Sequence, residues 1–227
     1  MRIDIVSDIV CPWCFVGKRR LEKVLQMRPA MRPEMKWRPF TLNPDVPIEG
    51  RPFAEHYARK FGGEEEAQRV LATIRQGGLD EGIAFRFDLI KTVPHTLKAQ
   101  QLIRLAGEHG VQDAVGESLF RAYFLEGLDI GSTEVLQQIA AAAGVDHPDL
   151  ETEFTEGLSK KVVERDIAVA VGMGVTVVPT FLLNQKYAIT GVREPFELLQ
   201  ILDRVYNEEL ASRANPTASA PQASSLS

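Results

Sequence analysis

The sequence predicts an α/β fold in which a mixed β core is split by an all-helical insertion, so that the two ends of the chain fold together. Three observations carry this. Apolar runs with strand character lie near the two ends, at 2–6, 35–40 and 180–190. Between about 53 and 157 the apolar residues instead recur every three to four positions, the period of helices that bury one face. Finally, the only two cysteines of the 227 residues stand three apart, where the first apolar run gives way to a helix.

Arg2 to Val6 reads as a buried strand and Cys11 to Met27 as the first helix, with Pro12 in the first turn, where a missing N–H costs nothing. Met35 to Phe40 reads as a second strand, ended by the turn-rich run Asn43-Pro44-Asp45-Val46-Pro47. A β-α-β opening implies parallel strands joined by a right-handed crossover. In the middle, Val70, Leu71 and Ile74 mark a helix over 64–76. Leu97, Leu102, Ile103 and Leu105 mark one over 96–109, ended by Gly110. Val115, Leu119, Phe120, Tyr123 and Phe124 mark another over 113–126, ended by Gly127. Ser132-Thr133 caps a helix over 134–143, closed by Gly144. Ile83 to Phe87 alternates and fits either state. A helix from about Leu158 to Met173 precedes a strand at Thr180–Leu183, a turn at Asn184-Gln185-Lys186 and a hairpin partner at Tyr187–Thr190. Pro195 opens a last helix to about Leu210. The tail is rich in Ala, Ser and Pro, has no aromatics, and is expected to be disordered. The expected division is therefore 1–52 and 158–211 for the β core, 53–157 for the helical insertion, and 212–227 for the tail.

At 44% apolar residues the chain can build a real core. A net charge of −5 argues against a nucleic-acid partner, which would want a basic face. No apolar run approaches the roughly 18 residues of a membrane span. No secretory signal precedes Arg2, so the expected location is cytoplasmic, where a Cys-x-x-Cys pair is catalytic more often than structural.

The chemistry expected of Cys11-Pro12-Trp13-Cys14 follows from geometry and charge. Residues three apart share a helix face, so the two sulfurs can close a small disulfide or open to a dithiol. Cys11 stands at the helix N-terminus, where free backbone N–H groups and the positive end of the dipole favour a thiolate, the reactive species. Cys11 is therefore the expected nucleophile. Cys14, one turn inside and more buried, is the expected resolving thiol. Zinc would need about four ligands. There is no second cysteine pair, and His56, His95, His109 and His147 are scattered, so no metal is expected.

Val177-Val178-Pro179-Thr180 is the other informative stretch. A proline that starts a strand after a helix, downstream of a Cys-x-x-Cys, resembles the cis-proline loop of the thioredoxin superfamily. More widely, the chain is similar to the DsbA family of thioredoxin-like oxidoreductases, and within it to the FrnE-like branch. The resemblance rests on Asp8 to Cys14 with Gly17-Lys18, on Phe40 to Asp45 with Gly50, on Asp166, Ala170, Gly174-Val175 and Val178 to Phe181, and on Ile189-Thr190-Gly191. It implies a thioredoxin-like domain with an inserted helical domain and thiol–disulfide exchange. It also implies substrate contacts from Pro12, Trp13, Val178, Pro179 and Thr180, no tightly bound cofactor, and a thiol- or disulfide-bearing protein or glutathione as partner, the chain being monomer or homodimer. The neighbouring 2-hydroxychromene-2-carboxylate isomerases and kappa-class glutathione transferases suggest an alternative, a glutathione-dependent reaction on a small aromatic substrate. Those relatives carry an Asn-Thr-x-x-Ala-His segment, which here reads His95-Thr96-Leu97-Lys98-Ala99-Gln100.

Four further residues have two readings each. Asp8, three before Cys11, is either a proton relay for Cys14 or a solvated turn residue. Lys18 is expected on a solvated helix face rather than beside the thiolate. His95 is expected to cap or lie on the surface rather than face the cleft. Trp13 is expected to face outward toward substrate, whereas Trp37 belongs to the core.

Overall fold

The computed structural model describes residues 1–214. Strand β1 (Arg2–Ser7) leads into helix α1 (Pro12–Gln26), and β2 (Glu34–Pro39) returns parallel to β1. After α2 to α8, the hairpin β5 (Thr180–Leu183) and β6 (Tyr187–Thr190) adds antiparallel to β1, giving the sheet order β2-β1-β5-β6. Asn184 and Gln185 take φ of 51° and 57° at the hairpin turn, the left-handed conformation that matches the twist of paired strands. Helix α9 (Pro195–Ala214) closes the chain.

Alternation along β1 decides what covers each face of this sheet. Ile3 and Ile5 sit in register with Leu183 and Phe181, and α1 packs over them: a Cβ at Gly17 would come within 2.9 Å of Pro179 and 3.3 Å of Phe181. Asp4, Val6 and Leu182 face the opposite way, where α8 (Leu158–Gly172) covers them. The result is a helix–sheet–helix sandwich with β1 at its centre.

Between β2 and α8 lie α2 (Phe53–Phe61), α3 (Glu64–Leu79), α4 (Leu97–Glu108), α5 (Gln112–Phe124), α6 (Thr133–Ala142) and α7 (Leu150–Glu156). Helices α2 and α7 lie within the expected helical stretch but had no bounds of their own in the sequence reading. The former is ended by Gly62 at φ 84°, and the latter is capped by Asp149, which accepts from the Thr152 N–H at 3.0 Å. The stretch is not purely helical. Arg51–Pro52 (β3) and Thr92–Val93 (β4) form a two-residue antiparallel ribbon at its base. The alternating run Ile83–Phe87 forms no strand. It is an irregular segment whose Ile83, Phe85 and Phe87 are buried, and its backbone reaches two helices, through Ile83 N–H to Gly78 O and Arg86 N–H to Phe124 O, both at 2.8 Å.

The insertion is joined to the β core through α1. Phe15 stacks on Phe120 at 5.0 Å and meets Phe85 edge-on at 6.2 Å. Trp37 is core, as expected, with its ring over Gly116 and 5.9 Å from Phe120. The expected tail boundary moves: Ser212 to Ala214 continue α9, and the remainder of 212–227 lies outside the described residues. Among the described residues no helix is long and apolar enough to cross a membrane.

Candidate active site

Cys11 is the N-cap of α1, in extended backbone conformation (φ −92°, ψ 110°), with Pro12 in the first turn. Its N–H donates to Asp8 O and its carbonyl accepts from the Cys14 N–H, both at 3.0 Å. No acidic side chain occupies the first turn of α1, so the positive end of the dipole acts on Cys11 without local compensation. Both cysteines are free thiols and both are buried, Cys11 to 4% and Cys14 to 3% exposure. The expected difference in exposure is absent, because the loop before β5 closes over Cys11. There the Val178–Pro179 bond is cis, and the Cys11 thiol donates to Val178 O at 3.6 Å. Thr180 Oγ1 donates to Val177 O at 2.7 Å and Gly191 N–H to Pro179 O at 2.8 Å, which fixes both ends of that loop. Val177 stands outside it, 47% exposed.

Burial pushes the Cys14 thiol well up, and its hydrogen bond to Cys11 adds to this, while Ser7 and the backbone at Asp8 oppose it. Cys14 therefore keeps its proton until a base takes it.

Asp8 is not a solvated turn residue. It is wholly buried, and burial raises its pKa to about 6 against the pull of the Leu42 N–H, the Thr96 hydroxyl and the N–H groups of Val10 and Ile9. The Leu42 N–H donates to Oδ2 at 2.6 Å, whereas Oδ1 has no partner within hydrogen-bond geometry among the described residues. A buried carboxyl titrating near neutrality is suited to proton transfer.

Trp13 departs from the outward position expected of it. The indole is half-buried against α3, where a Cβ at Gly77 would meet it at 2.9 Å. Lys18 is also corrected. It is 2% exposed and lies among Glu22, Asp113 (3.3 Å) and Glu117 (3.2 Å), so it ties α1 to α5 rather than facing solvent. His95 caps: its Nδ1 accepts from the Leu97 N–H at 3.4 Å. Gln100 is buried, and its amide donates to Ser7 O at 3.0 Å and Phe40 O at 3.2 Å, pinning the ends of β1 and β2 together. A histidine there could not direct two donors from one nitrogen.

Three groups beside the site had no sequence signal. Ser7 lies under Cys14. Tyr57 and Lys60 come from α2, a helix given no bounds of its own in the sequence reading, and both feel the charge of Cys11. Among the described residues no three or more His, Cys, Asp or Glu side chains gather as a metal site would require.

The family model for a DSBA-like thioredoxin domain matches residues 2–203. The chain belongs to the DSBA-like thioredoxin family. The family places it among thiol–disulfide oxidoreductases. A crystal structure of a probable DsbA oxidoreductase, SCO1869 from Streptomyces coelicolor, is similar with a TM-score of 0.82 and 29% identity over 92% of this chain and 91% of that one. The uncharacterized protein YwbO of Bacillus subtilis (strain 168) is 25% identical over 81% of this chain and 87% of its own length. A 2-hydroxychromene-2-carboxylate isomerase structure shares the fold, with a TM-score of 0.68 at 14% identity over 97% of this chain and all of that one.

Proposed function

We propose that this protein is a cytoplasmic thiol–disulfide oxidoreductase of the FrnE-like branch that works through a mixed disulfide on Cys11. The reading is carried by one observation: the Cys11 thiol stands at the N-terminus of α1 and faces Val178 O on the loop of Pro179, with Cys14 buried one turn behind. In the reducing direction the Cys11 thiolate attacks one sulfur of a substrate disulfide and a substrate thiolate leaves. Cys14 then gives up its proton and attacks Cys11, forming the Cys11–Cys14 disulfide and releasing the second substrate thiol. In the oxidising direction the same steps run backward. Asp8 accepts the Cys14 proton in the first case and returns it in the second.

Substrate contacts come from Pro12 and Trp13, which follow Cys11 in the chain, and from Val178, Pro179 and Thr180 on the loop whose Val178 O meets the Cys11 thiol. Once a substrate displaces the Cys11 thiol, Val178 O is free to pair with an extended peptide as a sheet edge does. No tightly bound cofactor is needed, because the dithiol itself carries two electrons. The partner is a protein thiol or disulfide, or glutathione, with the chain acting as monomer or homodimer.

The test is equilibration in glutathione redox buffers, followed by alkylation of Cys11 and Cys14. A single two-electron transition is expected. Cys11→Ser should abolish exchange, and Cys14→Ala should trap a mixed disulfide that persists. If no intramolecular disulfide forms and glutathione stays bound with activity surviving Cys14→Ala, the isomerase or transferase reading replaces this one.

A further inference from the structure

The mouth of the site carries a cation that the exchange steps do not use. Lys60, near the end of α2, is exposed and donates to Asn43 Oδ1 at 3.0 Å. Asn43 follows Leu42, whose N–H holds Asp8 Oδ2, and Asp8 O in turn holds the Cys11 N–H. Three hydrogen bonds and the Leu42–Asn43 peptide therefore connect Lys60 to the backbone of the nucleophile. Tyr57, one turn earlier and on the same face of α2, is buried against the site, and burial first, then the charge of Cys11, pushes its phenol pKa up.

The neighbouring charges leave Lys60 without an ionic partner among the described residues. Asp45 is engaged by Arg51 at 3.1 Å and Arg59 at 2.5 Å. Asp8 is wholly buried. His56 is held below its ordinary pKa by burial and by Lys60 itself. Among the described residues Lys60 makes no ion pair. The protein around its ammonium pushes its pKa down, while Cys11, Asp8 and Asp45 pull it up. An ammonium has three donors and Asn43 takes one, so two remain for a ligand.

We propose that Lys60 sets the substrate preference of Cys11: its ammonium draws in thiols and disulfides that carry a carboxylate and holds that carboxylate beside the reacting sulfur. The inference rests on the exchange reading of Cys11 and Cys14. The physical need is plain. A thiolate attacking an anionic disulfide brings like charges together, and a cation at the mouth offsets that repulsion.

The experiment uses three small disulfides of similar size on the reduced protein: bis(carboxyethyl) disulfide, cystamine and hydroxyethyl disulfide, which are anionic, cationic and neutral. In each reaction Cys11 attacks one probe sulfur and expels a thiolate. Cys14 then loses its proton and displaces the second thiolate, so the probe is reduced and the protein dithiol oxidised. The quantity read is the ratio of anionic to cationic rate within one variant, which cancels any general change in Cys11 reactivity. That ratio should fall about three- to tenfold in Lys60→Met, fall further in Lys60→Glu, and be retained in Lys60→Arg. Lys161→Met, an equal change of net charge on α8, should leave it unchanged. In the wild type the ratio should shrink with salt, as the screening length drops from about 30 Å at 0.01 M to about 3 Å at 1 M. Glutathione disulfide and a glutamate-flanked peptide disulfide then separate a small acidic thiol from an acidic protein segment, the preference belonging to whichever loses rate in Lys60→Met. An unchanged ratio in Lys60→Met, with the neutral probe still reacting, overturns the assignment of Lys60 alone. Failure of the neutral probe with every form, wild type included, overturns the exchange reading and this inference together.

Discussion

Asp8 and Cys14 illustrate how burial tunes this site residue by residue. Burial favours the uncharged form of each, so the carboxyl titrates near 6 while the thiol holds its proton. Asp8 can take that proton only when ionised. The rate at which Cys14 resolves a mixed disulfide should therefore rise as pH passes about 6. Asp8→Asn should slow resolution about a hundredfold or more and flatten its pH profile, a contribution within the usual range for general-base catalysis. Stopped-flow release of the second thiol checks this, and an unchanged profile would remove Asp8 from the mechanism. The same shift has a stability consequence. The folded pKa lies above the ordinary carboxylate value, so between pH 4 and about 6 the folded protein holds a proton that the unfolded chain has lost. Stability should fall across that window by up to roughly 3 kcal/mol, and Asp8→Asn should remove the slope in urea titrations. Asp8 was legible as a candidate from its spacing to Cys11. Its burial was not, since Leu42 and Thr96 reach it from distant parts of the chain.

Helices α1 and α3 show how far an element's function depends on the neighbour it packs against. The first is fully legible: an apolar strand, Cys-Pro at the start and an apolar face lead to one reading, and the boundaries agree to within a residue. What sequence could not say is that Gly77 on α3 leaves a flat place for the Trp13 ring. A Cβ there would stand 2.9 and 3.0 Å from two ring carbons, so the ring must move. Gly77→Ala should shift the Trp13 emission, read in a Trp37→Phe background, and change the Cys11 exchange rate. The gain of about 1 kcal/mol from replacing a helical glycine offsets part of the overpacking, which costs about 1–3 kcal/mol. A small net loss in urea midpoint is therefore expected. An unaltered emission spectrum would show that the ring is not seated on α3. Helix α2 went unread although Phe53, Tyr57 and Phe61 recur every four residues, because nine residues make only two and a half turns, too few for the pattern to stand out.

At the scale of the whole molecule, the insertion and the β core share one aromatic interior and are tied by buried cations on α1. Phe15 joins Phe85, Phe120 and Phe124, and Lys18 is surrounded by Glu22, Asp113 and Glu117. Removing the cation would leave three carboxylates together. Because these are partly exposed, hydration limits the damage, and Lys18→Met should cost about 1–2 kcal/mol. Urea unfolding should register that loss as a lower midpoint at unchanged slope; no loss would mean that the cluster is solvated and carries nothing. The division of labour between sequence and structure follows from range. The α/β class, the helical character of the middle, the dithiol and the proline loop were determined by the sequence itself, because each is written in neighbouring residues through period, capping and spacing. The burial of Cys11 under Val178, the isolation of Asp8, the seat of Trp13 and the arrival of Lys60 at the mouth were decided only by tertiary structure. Each depends on a partner tens of residues away, and no local pattern in the chain encodes which surfaces will meet.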